Sequence, residues 1–259
     1  MTRPAQLAGR RRLGHGPRNE MLTRYITEIQ NLLNDQEGQF FRLPTLTDYT
    51  NRARRRIAAA SGCLRVIPPG TLTVPRQEQY PFSNWTPLIQ EIVPGADSIL
   101  ACRTLAVAIG GRWERNQIQG GGWKPLWRRI PFSDFQARFR IYNQTFFGTI
   151  SEPGWYSQYG EGPAGRLYLA PIPAQEQPLE VDLSLIPANL LTDADIDPIP
   201  YPWSDAVSYW AATLCLLQQQ RREDAQAMAQ LFNSLLPECA SVVCPQMIQT
   251  AYGAVMRSA

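Results

Sequence analysis

The apolar residues of this 259-residue chain change period twice: helical up to about residue 62, alternating over the next stretch, and helical again from about residue 199. Few folds accommodate that order. Met21, Leu22, Tyr25, Ile26, Ile29, Leu32 and Leu33 fall on one helical stripe and predict a first helix. Residues 36–44 interrupt it. Thr45 or Thr47 is placed to cap a second helix, whose apolar face is Leu46, Tyr49, Ala53, Ile57 and Ala60 and whose stop is Gly62. Its opposite face carries Arg52, Arg54, Arg55 and Arg56.

From Leu64 the pattern becomes short β-branched runs separated by proline and glycine. Residues 64–67, 72–74 and 88–93 read as strands, with turns at Pro68-Pro69-Gly70 and Pro94-Gly95. Ile99, Ala101, Arg103, Leu105, Val107 and Ile109 alternate as a strand with one buried face does. A glycine-rich stretch from Gly110 to Gly122 follows, with Trp113, Trp123 and Trp127 in and after it, and then a short helix from Ser133 with Phe135, Phe139 and Tyr142 on one side. Residues 155–159, 166–169 and 179–185 read as further strands.

Helical period returns after the proline-spaced residues 187–202. Trp203, Ala206, Val207, Trp210, Leu214 and Leu217 form one face, and Ala225, Met228, Phe232 and Leu235 form another. Between them, Arg221 and Arg222 suit the carboxyl end of one helix, and Glu223 and Asp224 suit the amino end of the next. Pro237 or Pro245 is expected to end the second. The expected fold is α+β. Residues 20–62 and 199–245 form a helical bundle from the two ends of the chain, and residues 63–198 form an inserted β-rich, sandwich- or barrel-like lobe with a short embedded helix. A basic flexible arm, residues 1–19, and a carboxyl-terminal tail, residues 246–259, flank it.

Composition bounds the chemistry. Hydrophobic residues at 44% and aromatics at 10% supply a substantial core, but only 18% of residues are charged, beside 22 prolines and 18 glycines. A surface with so few charges and many rings suits a chain that uses much of its outside as an interface. The net charge of +3 is mild, and its positive excess lies in Arg3, Arg10, Arg11, Arg12 and Arg18, with no acid before Glu20. This basic start continues into Leu13-Gly14-His15-Gly16-Pro17, not into an apolar run, so neither a signal peptide nor a membrane span is expected. The five cysteines are an odd number without a Cys-x-x-Cys pair, and His15 is the single histidine. Reduced buried thiols are expected, with no metal site, no cofactor and no histidine-based triad.

Each remaining motif has a plainer reading. The arginines at 52–56 suit a helix side that pairs with acids or faces another subunit better than one that grips DNA, since no aromatics are interleaved for stacking. Arg10, Arg11 and Arg12 suit binding to DNA or a partner as well as they suit a disordered arm. Trp113, Trp123 and Trp127 suit a loop anchored on its own core or on a neighbouring subunit better than a carbohydrate platform. Glu91 with Asp97, or Glu152 with Glu161, has no spacing that identifies a glycosidase pair. Asp193, Asp195 and Asp197 lack the glycine and the distal glutamate of a calcium loop, and read as a capped, solvated linker.

Several segments taken in order resemble the adaptor, or head-to-tail connector, proteins that lie beneath the portal of tailed phages, a group related to the tail tubular or neck proteins of short-tailed viruses. They are the opening helix of residues 21–34, Leu46-Thr47-Asp48-Tyr49-Thr50-Asn51-Arg52-Ala53-Arg54, Leu167-Tyr168-Leu169-Ala170-Pro171-Ile172-Pro173, residues 199–212 and residues 220–225. The resemblance implies a structural virion protein with no enzymatic activity and no cofactor: a homo-oligomeric ring of about a dozen copies, docked on the portal protein, meeting a tail or nozzle protein at its other rim, and passing phage DNA through its lumen without reading its sequence. It implies assembly in the host cytoplasm and a place in the neck of the virion, away from any membrane. The expected portal or subunit contacts are Arg52, Arg55, Trp203, Tyr209, Trp210 and Arg221, with the tryptophan loop as a further partner contact. Another tail or minor capsid part, or a phage peptidoglycan hydrolase, is the competing assignment.

Overall fold

Both amino-terminal stripes fold as helices in the computed structural model, which describes residues 21–109, 112–114, 117–119, 122–125, 128–140 and 153–243. Helix α1, Met21–Leu33, buries Leu22, Tyr25, Ile26 and Ile29 of the expected stripe and leaves Met21, Leu32 and Leu33 half-buried. Helix α2, Leu43–Ser61, begins before the threonines expected to cap it. Pro44 falls in its first turn, where a missing N–H leaves no helical bond unmade. Thr47 instead donates its hydroxyl back to the Leu43 carbonyl at 3.0 Å. Gly62 ends the helix in the left-handed region, φ 61°, its N–H bonded to the Ala58 carbonyl.

Among the described residues the middle of the chain has single 3-10 or π turns at Phe82–Asn84, Gln136–Arg140 and Gly162–Ala164, and it holds ten strands and two short α-helices. They are β1 (Arg65–Val66), β2 (Gln79–Pro81), α3 (Thr86–Ile92), β3 (Ala96–Ile109), β4 (Arg112–Glu114), β5 (Gln117–Gln119), β6 (Gly122–Pro125), β7 (Arg128–Arg129), α4 (Phe132–Phe135), β8 (Trp155–Tyr159), β9 (Arg166–Ala170) and β10 (Leu179–Pro187). Residues 88–92 of the expected strand 88–93 belong to α3, and Val93 follows its end: a short apolar run does not distinguish the two, and Pro87 in the first turn starts a helix. Of residues 72–74, Leu72 alone bridges, to Pro178.

One sheet has the order β1-β10-β3-β6, antiparallel throughout, and a second has the order β2-β9-β8-β7, in which β7 and β8 are parallel. The pairing of β3 with β10 shifts register three times, opposite Asp182/Leu183, Ser184/Leu185 and Ile186/Pro187. Each shift inserts one residue into β3 and reverses which side chains face inward. The buried positions of β3 therefore include Ala96, Ile99, Cys102 and Leu105, three residues apart, and Ala101 and Arg103 leave the face that simple alternation assigned them. Strand β9 is buried on both faces. Leu167 and Leu169 join the main core, while Tyr168 and Ala170 form a second cluster with Phe135 beneath α4, flanked by Phe132, Phe139 and Trp155.

Two further helices follow: α5, Asp205–Gln218, and α6, Arg222–Val243. Helix α5 buries Ala206, Val207, Ser208, Ala211, Ala212, Thr213, Cys215 and Leu216, whereas Leu217, expected on its inner face, is exposed. It contacts α1, α2 and α6, and its small side chains allow that close approach on three sides. Helix α6 continues through Pro237, the first of the two prolines expected to end it, because Leu235, Leu236, Cys239 and Ala240 hold both flanks of the proline against the core, and Pro245 lies outside the described residues. Tyr49 meets Gln218 and Arg56 meets Trp210, so α2 runs antiparallel to α5, and Glu28 with Ser208 places α1 alongside it. Helix α2 also packs on β10, and one apolar core extends from α1 through the helices into both sheets. The fold is α+β.

Candidate interaction surface

Arginines 52–56 lie at spacings that spread them around α2, and the fold separates their roles. Arg52 is exposed, paired with Asp48 at 2.9 Å one turn back and lying 5.6 Å from the Tyr49 ring centre. Arg55 is exposed and bonded weakly to the Asn51 carbonyl at 3.4 Å. Arg56 lies over Trp210 at 5.4 Å, and Phe232 closes on that indole from α6 at 4.9 Å. Arg54 turns inward. Its side chain and that of Asp197 are each 1% exposed and meet at 2.8 Å.

That buried pair is a small network. Arg54 also donates to the Asn51 side chain at 3.0 Å and to the Ala188 carbonyl at 2.6 Å, while Asp197 accepts from the Tyr25 hydroxyl at 2.7 Å and the Ile199 N–H at 3.1 Å. Asn51 in turn holds both the N–H and the carbonyl of Leu190. Burial, and then the Asp197 charge, push the Tyr25 hydroxyl far above its ordinary range, so it stays a donor. Asp197 is thus no part of a solvated linker, and Arg54 no part of a cationic face. For Arg54 the available signal is its position one turn after Thr50, beside the apolar stripe, where an unpaired charge is costly; Asp197 carries no such signal. Asp193 and Asp195 stay at the surface. Asp193 caps α1 by accepting from the Thr23 N–H at 2.8 Å and hydroxyl at 2.6 Å, and Asp195 closes its own turn by accepting from Leu191 and Thr192. These hydrogen bonds hold both carboxyls below the usual range.

The other expected contacts scatter over the helices. Trp203 is buried in the core of the chain itself, so its indole serves the fold and is withdrawn from any partner surface. Trp210 is half-buried between Arg56 and Phe232. Tyr209 is half-buried and lines an open cleft of about 410 Å³ with Arg24, Glu28, Asn31, Asp205 and Ser208. In that cleft Arg24 bonds Glu28 at 2.8 Å and Asp205 at 3.2 Å, and Ser208 donates to Glu28 at 2.7 Å. Arg221 is half-exposed and paired with Asp224. Trp113 and Trp123 lie on β4 and β6, while Trp127, the arm with Arg10, Arg11 and Arg12, and the tail at 246–259 lie outside the described residues.

Two groups of exposed apolar side chains have positions that period alone does not disclose. Phe40 (72% exposed) and Leu43 lie at the start of α2, and Leu217 lies at the end of α5, the helix end to which Tyr49 and Gln218 tie α2. Leu191 (72%), Ile196 and Tyr201 (75%) lie on the connection from β10 to α5.

Chemically activated groups are scarce. Burial pushes the thiols of Cys102 and Cys215 up to about 12 and raises those of Cys63 and Cys239, which makes all four poor nucleophiles at neutral pH. Among the described residues no three His, Cys, Asp or Glu side chains gather as a metal site, and no helix is long and apolar enough to cross a membrane. Glu91, Asp97 and Glu161 are exposed, and Glu152 lies outside the described residues. The surface offers apolar contact and ion pairing. Neither the models of known protein families nor the curated protein sequences compared with this chain match it.

Proposed function

We propose that this chain is a structural subunit of a tailed-phage neck, a head-to-tail adaptor that assembles into a ring of about a dozen copies between portal and tail. The carrying observation is the meeting of two distant segments that bear the resemblance. Helix α2, which carries residues 46–54, lies beside α5, which carries much of residues 199–212 and ends just before residues 220–225; Tyr49 and Gln218 join the two helices at 3.0 Å. They behave as one helical unit built from both ends of the chain, which supports the bundle with an inserted β-rich lobe. Phe40, Leu43 and Leu217, exposed at one end of that unit, supply apolar surface of the kind a subunit contact buries. In this assignment Arg52, Arg55, Tyr209, Trp210 and Arg221 contribute to contacts with neighbouring copies or the portal, DNA passes through the lumen without base recognition, and the chain performs no catalysis. Sedimentation of the full chain alone and with purified portal tests it: a ring-sized species, or co-sedimentation with the portal, is expected, and a chain that stays monomeric in both would overturn it.

A further inference from the structure

The connection from β10 to α5 is anchored by side-chain hydrogen bonds to two helices and also carries exposed apolar side chains. Asp193 binds Thr23, Asp197 binds Tyr25 and Arg54, and Asp205 binds Arg24, so the segment lies across the first turns of α1. A segment held that firmly nevertheless turns Leu191, Ile196 and Tyr201 outward, at 72%, 55% and 75% exposure. Asp193 and Asp195 stand among them, and no lysine or arginine among the described residues forms an ion pair with either. Apolar side chains interspersed with carboxylates that no described lysine or arginine pairs directly suit a ligand that is both cationic and apolar.

Such a ligand is tethered at this place. The chain enters α1 at Met21, two residues before the Thr23 that Asp193 holds. The preceding residues 1–19 carry five arginines and no acid, more than the whole net charge of +3, so residues 20–259 carry a net −2. Arg10-Arg11-Arg12-Leu13 joins guanidinium groups to a leucine. We infer that residues 1–19 dock in cis on the surface formed by Leu191, Asp193, Asp195, Ile196 and Tyr201. Guanidinium groups pair with the two aspartates and lie on the Tyr201 ring, while Leu13 covers Leu191 or Ile196. Between residue 12 and Met21 the chain spans up to about 30 Å, enough to fold back. The tether raises the local concentration of the arm to the millimolar order, so weak pairs suffice. DNA, the other cationic-arm partner, is repelled by the same aspartates.

The test uses the full chain with Leu13→p-benzoylphenylalanine, irradiated as a mixture of light and heavy isotope-labelled protein. The expected crosslink joins residue 13 to residues 188–204 within one molecule. Each exposed pair is worth a factor of up to about five, so Asp193→Asn with Asp195→Asn lowers the yield several-fold. The amide oxygen introduced at position 193 can still accept the Thr23 N–H, which keeps the anchor to α1. Arg10→Gln, Arg11→Gln and Arg12→Gln together, which precede every described element, must lower it equally, and 0.5 M salt must do the same. Crosslinks between light and heavy chains, crosslinks to another surface, or yields unchanged by charge removal would each overturn the inference. None of these outcomes depends on whether a ring forms.

Discussion

Arg54→Met removes a guanidinium that makes four hydrogen bonds inside the molecule, two of them to a carboxylate whose side chain is 1% exposed. Among the described residues Asp197 then keeps only the Tyr25 hydroxyl and the Ile199 N–H, and the Ala188 carbonyl loses the Arg54 donor. Breaking a buried pair from one side costs about 3–5 kcal/mol, because the remaining charge is desolvated without compensation. At about 2–4 °C per kcal/mol for a chain of this size, the melting temperature falls by roughly 10 °C. Removing both charges with Arg54→Met and Asp197→Leu leaves no stranded ion, so the double variant loses less than the sum of the singles, with a coupling of about 2 kcal/mol or more. Urea unfolding monitored by tryptophan fluorescence reads both quantities, provided the denaturant slope is unchanged. A single-variant loss below about 1 kcal/mol, or strict additivity in the cycle, would refute the claim that this pair clamps the β10–α5 connection onto α1 and α2.

Further outcomes follow from local geometry. Gly95 has φ 89°, and a Cβ there would lie 2.3 Å from the Ile196 carbonyl oxygen, so Gly95→Ala lowers stability by about 2 kcal/mol or more, whereas Gly154→Ala, with open space around it, changes it by less than about 0.5 kcal/mol; urea midpoints compare the two. Asp35 accepts the N–H groups of Gln39, Phe40 and Phe41 while 4% exposed, so Asp35→Ala costs about 1–3 kcal/mol and speeds hydrogen exchange at residues 39–41. The thiols of Cys102 and Cys215 are raised from 9.0 to about 12, and the Tyr156 hydroxyl from 10.0 to about 12. Between those values the unfolded chain has lost these protons and the folded chain has kept them, so stability is fully present below about pH 9 and declines from there towards pH 12. An unfolding midpoint equal at pH 7 and pH 10.5 would contradict this.

The helices were legible because their apolar faces repeat within one element and need no partner to be recognised. The centre of the expected stripe, Leu22, Tyr25, Ile26 and Ile29, becomes the buried face of α1, and its ends at Met21, Leu32 and Leu33 are half-buried. Strand β3 was legible as a strand but not in its facing, since each bulge is set by the register against β10, more than seventy residues away. The double burial of β9 was hidden for a related reason: α4 covers its second face, and alternation describes a sheet with one covered face only. Leu217 was misplaced because α5 is surrounded on three sides, so small residues at Ala206, Ala211 and Ala212 define its buried surface better than the large ones do. Arg54 and Asp197 are 143 residues apart, and nothing local to either reveals the other. The exposed set Leu191, Ile196 and Tyr201 lies in a segment without period, where no pattern separates inside from outside.

Negative-stain electron microscopy of the purified full chain, alone and mixed with portal, tests the adaptor assignment most directly. Class averages with a closed ring and a central pore, alone or stacked coaxially on the portal, are the predicted result. Fields of single compact particles under both conditions, at concentrations well into the micromolar range, would contradict it.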